Sequence, residues 1–181
     1  MDNNTNIQKP TIDQLLDLRK YKPYHIPDKE NVILRIGGKA VGSTQAYVIY
    51  GGLPKAGKSS FLNSCIASAF VPYDIFTMKI TLPEQRRRLC LFDTESSDYD
   101  YYKRIESIKN FAELSHLPDY FDSYQVREDG TGTIRKMVER YLEINPDCSV
   151  LVLDGLLDLI VNYNDETESS MLTKWLKKRR A

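Results

Sequence analysis

The sequence is poor in residue types that often direct chemistry, with three cysteines and two histidines in 181 residues. Cys65, Cys90 and Cys148 lack C-x-x-C spacing and lie in or beside apolar runs, so we expect reduced, buried thiols. His25 and His116 stand alone near proline-containing segments. This pattern indicates neither a metal site built on histidine nor a catalytic histidine.

The sequence also lacks a long apolar run and an excess of charge. No stretch approaches the roughly 20 apolar residues of a membrane-spanning helix, and the polar, acidic start is unlike a signal peptide. We therefore expect a cytoplasmic protein without a membrane partner. Lys plus Arg and Asp plus Glu both number 25, so the formal net charge of zero does not support a broad nucleic-acid-binding surface.

A motif of the form G-x-x-x-x-G-K-S occupies residues 52–59. The β-branched and aromatic residues at 46–50 before it predict a strand, and the apolar spacing at 61–69 after it predicts a helix. A strand, a glycine-rich loop and a helix in this order predict a phosphate-binding loop, in which Gly52 and Gly57 let the backbone curl around a polyphosphate. The predicted nucleotide-binding residues of the loop are Gly52, Leu53, Pro54, Lys55, Ala56, Gly57, Lys58, Ser59 and Ser60.

Two side chains of the motif have distinct expected roles. The ammonium group of Lys58 would reach the β- and γ-phosphates, and the hydroxyl of Ser59 would be a ligand of phosphate-bound Mg²⁺. No Asn-Lys-x-Asp string, which reads guanine, occurs in the sequence. The expected ligands are therefore ATP and Mg²⁺.

The rest of the chain alternates between strand and helix patterns, which is typical of an α/β fold. Thr11 and Gln14 form a capping box that predicts a short helix within a leader at residues 1–30, and residues 31–181 are expected to form one domain. The other predicted elements are strands at 32–36, 88–93, 121–126 and 149–154, a small hairpin between 32–36 and 46–50, helices at 101–114 and 133–144, and an amphipathic helix beginning at Asn164 or Asp165.

Two predicted strands end in carboxylates. Asp154 ends the most apolar one, and a carboxylate at the end of a parallel strand suits a Mg²⁺ site. Glu95 follows the strand at 88–93 and would orient and deprotonate a water molecule for attack on the γ-phosphate. Asp93 is an alternative for that role, and a structural role at the strand end is also open to it.

Three segments in this order resemble RecA-type ATPases: the loop at 52–59, Asp-Thr-Glu at 93–95, and Val-Leu-Val-Leu-Asp-Gly at 150–155. Residues 30–180 are similar in particular to RepA-like replicative helicases of plasmids and to AAA-family ATPases of bacterial mobilisable elements. The resemblance implies a three-layer RecA-like core with a mostly parallel sheet. Because the family's fold continues into further strands, it also implies a core that is incomplete at the C-terminus.

The resemblance also implies site residues and partners. It implies catalytic roles for Lys58 and Glu95, Mg²⁺ binding by Ser59 and Asp154, and stacking of Tyr102 on adenine. A tyrosine-rich helix start also favours packing for Tyr102. The implied partners are further copies of the chain in a ring, and DNA.

The function expected on this basis is Mg²⁺-dependent ATP hydrolysis in DNA replication or in mobilisation of a mobile element. One alternative is a P-loop phosphotransferase, in which Arg86, Arg87 and Arg88 would clamp a second phosphorylated substrate. The other alternative is a nucleotide-gated regulatory or assembly module that binds ATP without turnover.

Overall fold

In the part of the chain that the structure describes, the strands form two separate three-stranded sheets. The structure, a computed structural model, describes residues 11–20, 31–44, 46–53, 55–160 and 166–178. Its elements in chain order are α1 (Ile12–Arg19), β1 (Val32–Ile36), β2 (Lys39–Ser43), α2 (Lys58–Ala67), β3 (Met78–Ile80), β4 (Arg88–Asp93), α3 (Asp98–Phe111), β5 (Phe121–Gln125), α4 (Thr131–Ile144), β6 (Cys148–Asp154), a 3₁₀ helix (Leu156–Leu159) and α5 (Glu166–Lys178).

The parallel sheet has the strand order β5-β4-β6. The chain passes from β4 through α3 to β5 and then through α4 to β6, because parallel neighbours need a crossover connection. The three strands therefore end at the same edge, where Asp93 pairs with Gln125 on one side and with Asp154 on the other. In open α/β sheets, ligands bind at this carboxyl edge.

The second sheet is antiparallel and has the order β2-β1-β3. The sequence predicts a hairpin between residues 32–36 and 46–50, whereas the hairpin in the structure is formed by β1 itself with β2. Its turn consists of Gly37 and Gly38, whose φ values of 55° and 75° are in the left-handed region. This sheet contributes Ile33 from β1 and Ile80 from β3 to the core.

Side chains of β4 alternate between two hydrophobic clusters, because successive residues of a strand point to opposite faces. Leu89 and Leu91 belong to the first cluster, with residues of α2, α3 and the antiparallel sheet. Cys90 and Phe92 belong to the second cluster, with residues of α4 and α5. Helices thus cover both faces of the parallel sheet, and the predicted α/β class is confirmed.

The predicted strand at residues 46–50 is wrong, since this segment has no strand structure and its side chains are exposed. A strand requires a hydrogen-bonded neighbour, which β-branched residues alone do not provide. The apolar sequence of β6, which has no alternation, predicts a strand buried on both faces, but within β6 only Cys148 is fully buried. Among the described residues, β6 pairs with β4 alone. Strand β6 is therefore an edge strand of this sheet.

Most other predicted elements are present. The capping box of α1 forms between Thr11 and Gln14, and β4 has the predicted bounds. Helix α3 begins three residues before its predicted start at 101 and ends three before its predicted end at 114. Two predicted features lie wholly or mostly outside the described residues. They are the leader, of which residues 1–10 and 21–30 are not described, and the start of the last helix, predicted at Asn164 or Asp165.

The three cysteines are free and buried, as predicted. Burial raises the pKa of Cys65 and of Cys148 to about 11, and it raises the pKa of Cys90 even further. His116 is exposed, and His25 lies outside the described residues. In the described part of the chain, no helix has both the length and the apolar character needed to cross a membrane.

Candidate functional site

The glycine-rich loop enters α2 through Gly57, the N-cap residue of that helix. Its φ of 79° lies in the left-handed region that favours glycine. The φ of Gly52 is not positive, and a Cβ at this position would make only ordinary contacts, at 3.5 Å or more, with the side chain of Lys58. The backbone conformation therefore favours glycine at position 57 but not at position 52. Pro54 lies outside the described residues.

The side chain of Lys58 folds back across the loop. Its Nζ donates hydrogen bonds to the carbonyl oxygens of Gly52 at 2.9 Å and Leu53 at 3.0 Å. The first turn of α2 adds backbone N–H groups that have no acceptor within the helix and attract anions. The loop thus places an ammonium group beside a helix N-terminus. Of the other predicted loop residues, Gly52, Leu53, Lys55, Ala56, Gly57, Ser59 and Ser60 are exposed.

Asp93, at the end of β4, is completely buried. Its Oδ1 accepts hydrogen bonds from the backbone N–H groups of Glu95 at 3.1 Å and Ser96 at 2.9 Å. Its Oδ2 accepts a hydrogen bond of 2.6 Å from Nη1 of Arg104. Both carboxylate oxygens therefore have partners that shape the loop after β4. This favours the structural role for Asp93 and leaves Glu95 as the candidate base.

The same guanidinium group reaches the end of β6. Nη2 of Arg104 donates a hydrogen bond to Oδ2 of Asp154, while the Arg104 side chain is only 5% exposed. The carboxylate of Asp154 is more accessible than that of Asp93, with 24% of its side chain exposed. Arg104 therefore links α3 to the ends of two neighbouring strands.

Glu95 lies in the loop between β4 and α3, and the residue as a whole is exposed. Partial burial of its carboxyl group raises its pKa, as do the negative charges of Asp154, Asp158 and Asp93, in that order. The positive charge of Lys58 acts in the opposite direction. Glu95 is thus close enough to Asp154 and to Lys58 to interact with the charge of each.

A hydroxyl group connects the two loops that follow β4 and β6. Oγ1 of Thr94 donates a hydrogen bond to Oδ2 of Asp158 at 2.5 Å, and it lies 2.9 Å from the backbone oxygen of Asp154. The backbone N–H of Thr94 also donates to that oxygen, at 3.1 Å. On the other side, Thr131 at the start of α4 donates to the backbone oxygen of Asp158 at 2.9 Å. Asp158 therefore ties three elements together.

Gly155 allows these two loops to touch. Its φ of 89° favours glycine, and a Cβ at this position would lie 1.9 Å from Oγ1 of Thr94 and 2.9 Å from Cγ of Glu95. Any side chain at position 155 would push the loop that carries Glu95 away from β6. The glycine thus fixes the distance between the candidate base and the strand that ends in Asp154.

The tyrosines at the start of α3 differ in exposure. Tyr101 is half-buried, and its hydroxyl lies 2.7 Å from Oγ of Ser123. This tyrosine therefore has a packing role. Tyr102 is 59% exposed and Tyr99 is 65% exposed. Neither of these two rings is part of the core. Within the described part of the chain, Tyr102 makes no hydrogen bond or ring contact with the loop.

The donor set fits a Mg²⁺ ion that arrives with phosphate. Among the residues that the structure describes, no group of three or more Asp, Glu, His or Cys side chains is arranged to hold a metal ion. Mg²⁺ usually binds to one or two carboxylates together with substrate phosphates and water. Asp154 offers one such carboxylate, and Ser59 offers an exposed hydroxyl next to Lys58. The donor types at these two positions are therefore those of a nucleotide-bound Mg²⁺ rather than of a bare ion.

The three arginines before and at the start of β4 lie at the other end of this strand. Arg86 donates to the backbone oxygen of Cys148 at 2.9 Å. Arg88 pairs with Asp122 at 2.9 Å and with Asp147 at 3.2 Å. The guanidinium of Arg87 lies over the ring of Tyr120, 4.9 Å from its centroid. Two of the three arginines are therefore held by backbone or carboxylate partners, far from the carboxyl edge.

Sequence analysis missed Arg104, Thr94, Gly155 and Asp158. Arg104 did leave a signal, because it shares the inner face of α3 with Ile105 and Ile108. A charged residue in an apolar stripe requires a buried partner of opposite charge. Thr94 and Asp158 left no comparable signal, since their hydrogen bond joins residues that are 64 positions apart.

No protein-family model, curated protein or solved structure matches this chain. The functional assignment therefore depends on the residues of the site and on the sequence motifs that supply them.

Proposed function

We propose that the chain binds ATP with Mg²⁺ at residues 52–59 and hydrolyses it. The observation that carries the proposal is the position of the Lys58 ammonium group, which is held across a glycine-rich loop at the N-terminus of α2. An ammonium group and free backbone N–H groups in one place favour a polyphosphate over a singly charged ligand.

The residues have distinct roles in the proposed reaction. Lys58 neutralises charge on the β- and γ-phosphates, and Ser59 and Asp154 would hold Mg²⁺, which supplies further charge neutralisation when bound. Glu95 accepts a proton from the attacking water. The water oxygen bonds to the γ-phosphorus while the bond to the β,γ-bridging oxygen breaks, which gives ADP and phosphate. A raised pKa suits Glu95 as a general base, because a base works best when its pKa approaches the working pH.

The sequence resemblance extends the proposal beyond hydrolysis. It supports a RecA-like core that acts on DNA in replication or mobilisation of a mobile element, as a ring of identical subunits, with Tyr102 stacking on adenine. The exposed ring of Tyr102 supports the stacking role. An increase in phosphate release on addition of single-stranded DNA would support the role on DNA.

We expect Lys58→Ala to weaken ATP binding by about tenfold or more, because each charge-assisted contact contributes roughly 1.5 to 3 kcal/mol. The measurement is titration of the full chain with a fluorescent ATP analogue in the presence of Mg²⁺. Lys39→Ala is the matched control, because Lys39 is exposed on β2 of the antiparallel sheet. Unchanged affinity in Lys58→Ala would refute the proposed nucleotide site.

We expect Glu95→Gln to bind ATP as the wild type does and to lose turnover by about 100-fold or more, since general base catalysis contributes roughly 10² to 10⁴. The measurement is phosphate release at saturating ATP, together with ATP affinity. Glu128→Gln, at an exposed position after β5, is the control. Full turnover in Glu95→Gln would remove Glu95 from the mechanism.

The same assays distinguish the two alternatives. ATP retention by the wild type without phosphate release would favour the nucleotide-gated module. Transfer of phosphate to a small molecule would favour the phosphotransferase, although the contacts of Arg86 and Arg88 at the far end of β4 count against an arginine clamp near the loop.

A further inference from the structure

A buried cluster of charged side chains lies at the carboxyl edge of the parallel sheet. Asp93 and Asp154 are direct partners in the β4 and β6 ladder, so their carboxylates stand side by side. Like charges directly opposite each other on neighbouring strands repel. Arg104 reaches between them from α3 and contacts one oxygen of each carboxylate. Its guanidinium group offsets this repulsion.

The two contacts of Arg104 have different consequences. Asp93 is also held by two backbone N–H groups, at its other oxygen. Asp154 has no such second anchor, since Arg104 is the one side chain that holds its carboxylate in the part of the chain that the structure describes. Removing Arg104 would therefore leave Asp93 in place and free the carboxylate of Asp154 to rotate.

We infer that Arg104 is a positioning residue that orients the carboxylate of Asp154 for the Mg²⁺ carried by ATP. This inference rests on the proposed function. Arg104 touches neither nucleotide nor ion and acts through Asp154. By engaging Oδ2, it leaves Oδ1 as the oxygen that can face a metal-bound water or the ion.

The contacts with both carboxylates require the guanidinium group of an arginine. A guanidinium group offers separate nitrogens to two acceptors, whereas a lysine ammonium is a point charge on a flexible stem. In Arg104→Lys the positive charge remains, but one ammonium group cannot keep both carboxylates in their present positions. The charge of the cluster is thus conserved while the orientation of Asp154 is lost.

The test compares the magnesium dependence of the full-length wild type and Arg104→Lys. We expect the variant to bind ATP without Mg²⁺ as the wild type does. We also expect it to need about tenfold more Mg²⁺ for half-maximal turnover and to have a kcat lower by about tenfold or more, which corresponds to one charge-assisted hydrogen bond. A residue with a purely structural role would lower the melting temperature without changing the magnesium dependence of the folded protein.

A second variant guards against misfolding. Breaking a buried ion pair by removing one partner is strongly destabilising, so Asp93→Asn combined with Arg104→Gln removes one charge of each sign. The double variant keeps the charge balance and frees Asp154, and we expect the same magnesium defect. Arg88→Lys is the matched control, because Arg88 also contacts two carboxylates but lies at the opposite end of β4. It should keep the magnesium dependence of the wild type.

The outcomes are distinguishable. A wild type that binds no ATP would overturn the proposed function and this inference with it. A wild type that hydrolyses ATP, with both Arg104 variants showing its magnesium dependence and kcat, would overturn the inference alone. Failure of both variants to fold, judged by circular dichroism, would also overturn it by making Arg104 a folding residue. A magnesium defect in the folded Arg104 variants and none in Arg88→Lys would support it.

Discussion

Glu95 shares its surroundings with three other carboxylates. The charges of Asp154, Asp158 and Asp93 oppose its ionisation and, with burial, raise its pKa. Two of these neighbours are balanced by Arg104, whereas Asp158 contacts the uncharged hydroxyl of Thr94. Asp158 is therefore the neighbour whose charge can be removed with the least disturbance to the cluster.

We expect Asp158→Asn to move the acidic limb of the profile of kcat/KM against pH to lower pH. In the proposed mechanism Glu95 must be deprotonated to act as the general base, so activity falls as it takes up a proton. Loss of a negative charge nearby makes ionisation of Glu95 easier and lowers its pKa, while the asparagine oxygen still accepts from Thr94. Asp147→Asn, which affects the opposite end of β4, should leave the limb in place. A shift to higher pH would contradict this role of Asp158.

At the scale of elements, the turn between Ile75 and Met78 is strained. These two residues exchange backbone hydrogen bonds of 3.0 and 2.9 Å, and the residues between them, Phe76 and Thr77, have φ values of 47° and 67°. Such two-residue turns favour Asn and Gly, and a β-branched residue in the left-handed region is an outlier. The backbone oxygen of Thr77 also accepts from Gly37 at 2.8 Å, so the antiparallel sheet holds the turn in this conformation.

We expect Thr77→Gly to stabilise the protein by up to about 1 kcal/mol, which raises the melting temperature by roughly 2 to 4 °C. The left-handed conformation costs a non-glycine residue roughly 1 to 2 kcal/mol, and the greater freedom of glycine in the unfolded chain offsets part of this gain. Thr81→Gly is the control, because the φ of Thr81 is not positive and the same substitution should destabilise there. Calorimetry measures the melting temperature, and a lower value for Thr77→Gly would show that the turn is not strained at this residue.

The elements that the sequence predicts well are those whose own residues determine them. Strand β4 has the predicted bounds because its apolar run lies between Arg88 and the buried Asp93. Helix α3 begins earlier than predicted because Ser97 caps it, and it ends earlier because Glu113 takes a φ of 54°. Residues 46–50 have equally strong β-type side chains but lack a paired strand, and pairing is a property of the whole fold.

The candidate site divides in the same way. The loop and the two acidic strand ends were predictable, because each motif is local and parallel strands end at one edge. The pairing of the carboxylates with their partners was not predictable, because the partners come from distant positions, although the place of Arg104 in the apolar stripe of α3 indicates a buried partner of opposite charge. Arg104 lies 50 residues from Asp154 in the sequence, and Thr94 lies 64 residues from Asp158.

At the scale of the whole molecule, α5 completes one of the two hydrophobic clusters. Leu172 is 5% exposed and packs with residues of α4, and the indole N–H of Trp175 donates to Oε1 of Glu139 at 2.8 Å. Met171, the preceding residue of the same helix, is 52% exposed. Positions 171 and 172 therefore differ in burial although they are adjacent in the same helix.

We expect Leu172→Ala to lower the free energy of unfolding by about 2 to 4 kcal/mol, because it removes buried methyl and methylene groups and leaves a cavity. Met171→Ala should change it by less than about 0.5 kcal/mol, since exposed positions contribute little. Urea denaturation of both variants measures the difference. Equal stabilities would mean that α5 does not belong to the core.

The buried thiols have a practical consequence for work on the loop. Because Cys65, Cys90 and Cys148 are buried and their thiolates are disfavoured, maleimide reagents should leave them unmodified in the native protein. One cysteine introduced at an exposed position, such as Leu53, would then carry a fluorophore or spin label without prior removal of the native ones. The label would then report whether the surroundings of the loop change on addition of nucleotide, in an otherwise unaltered chain.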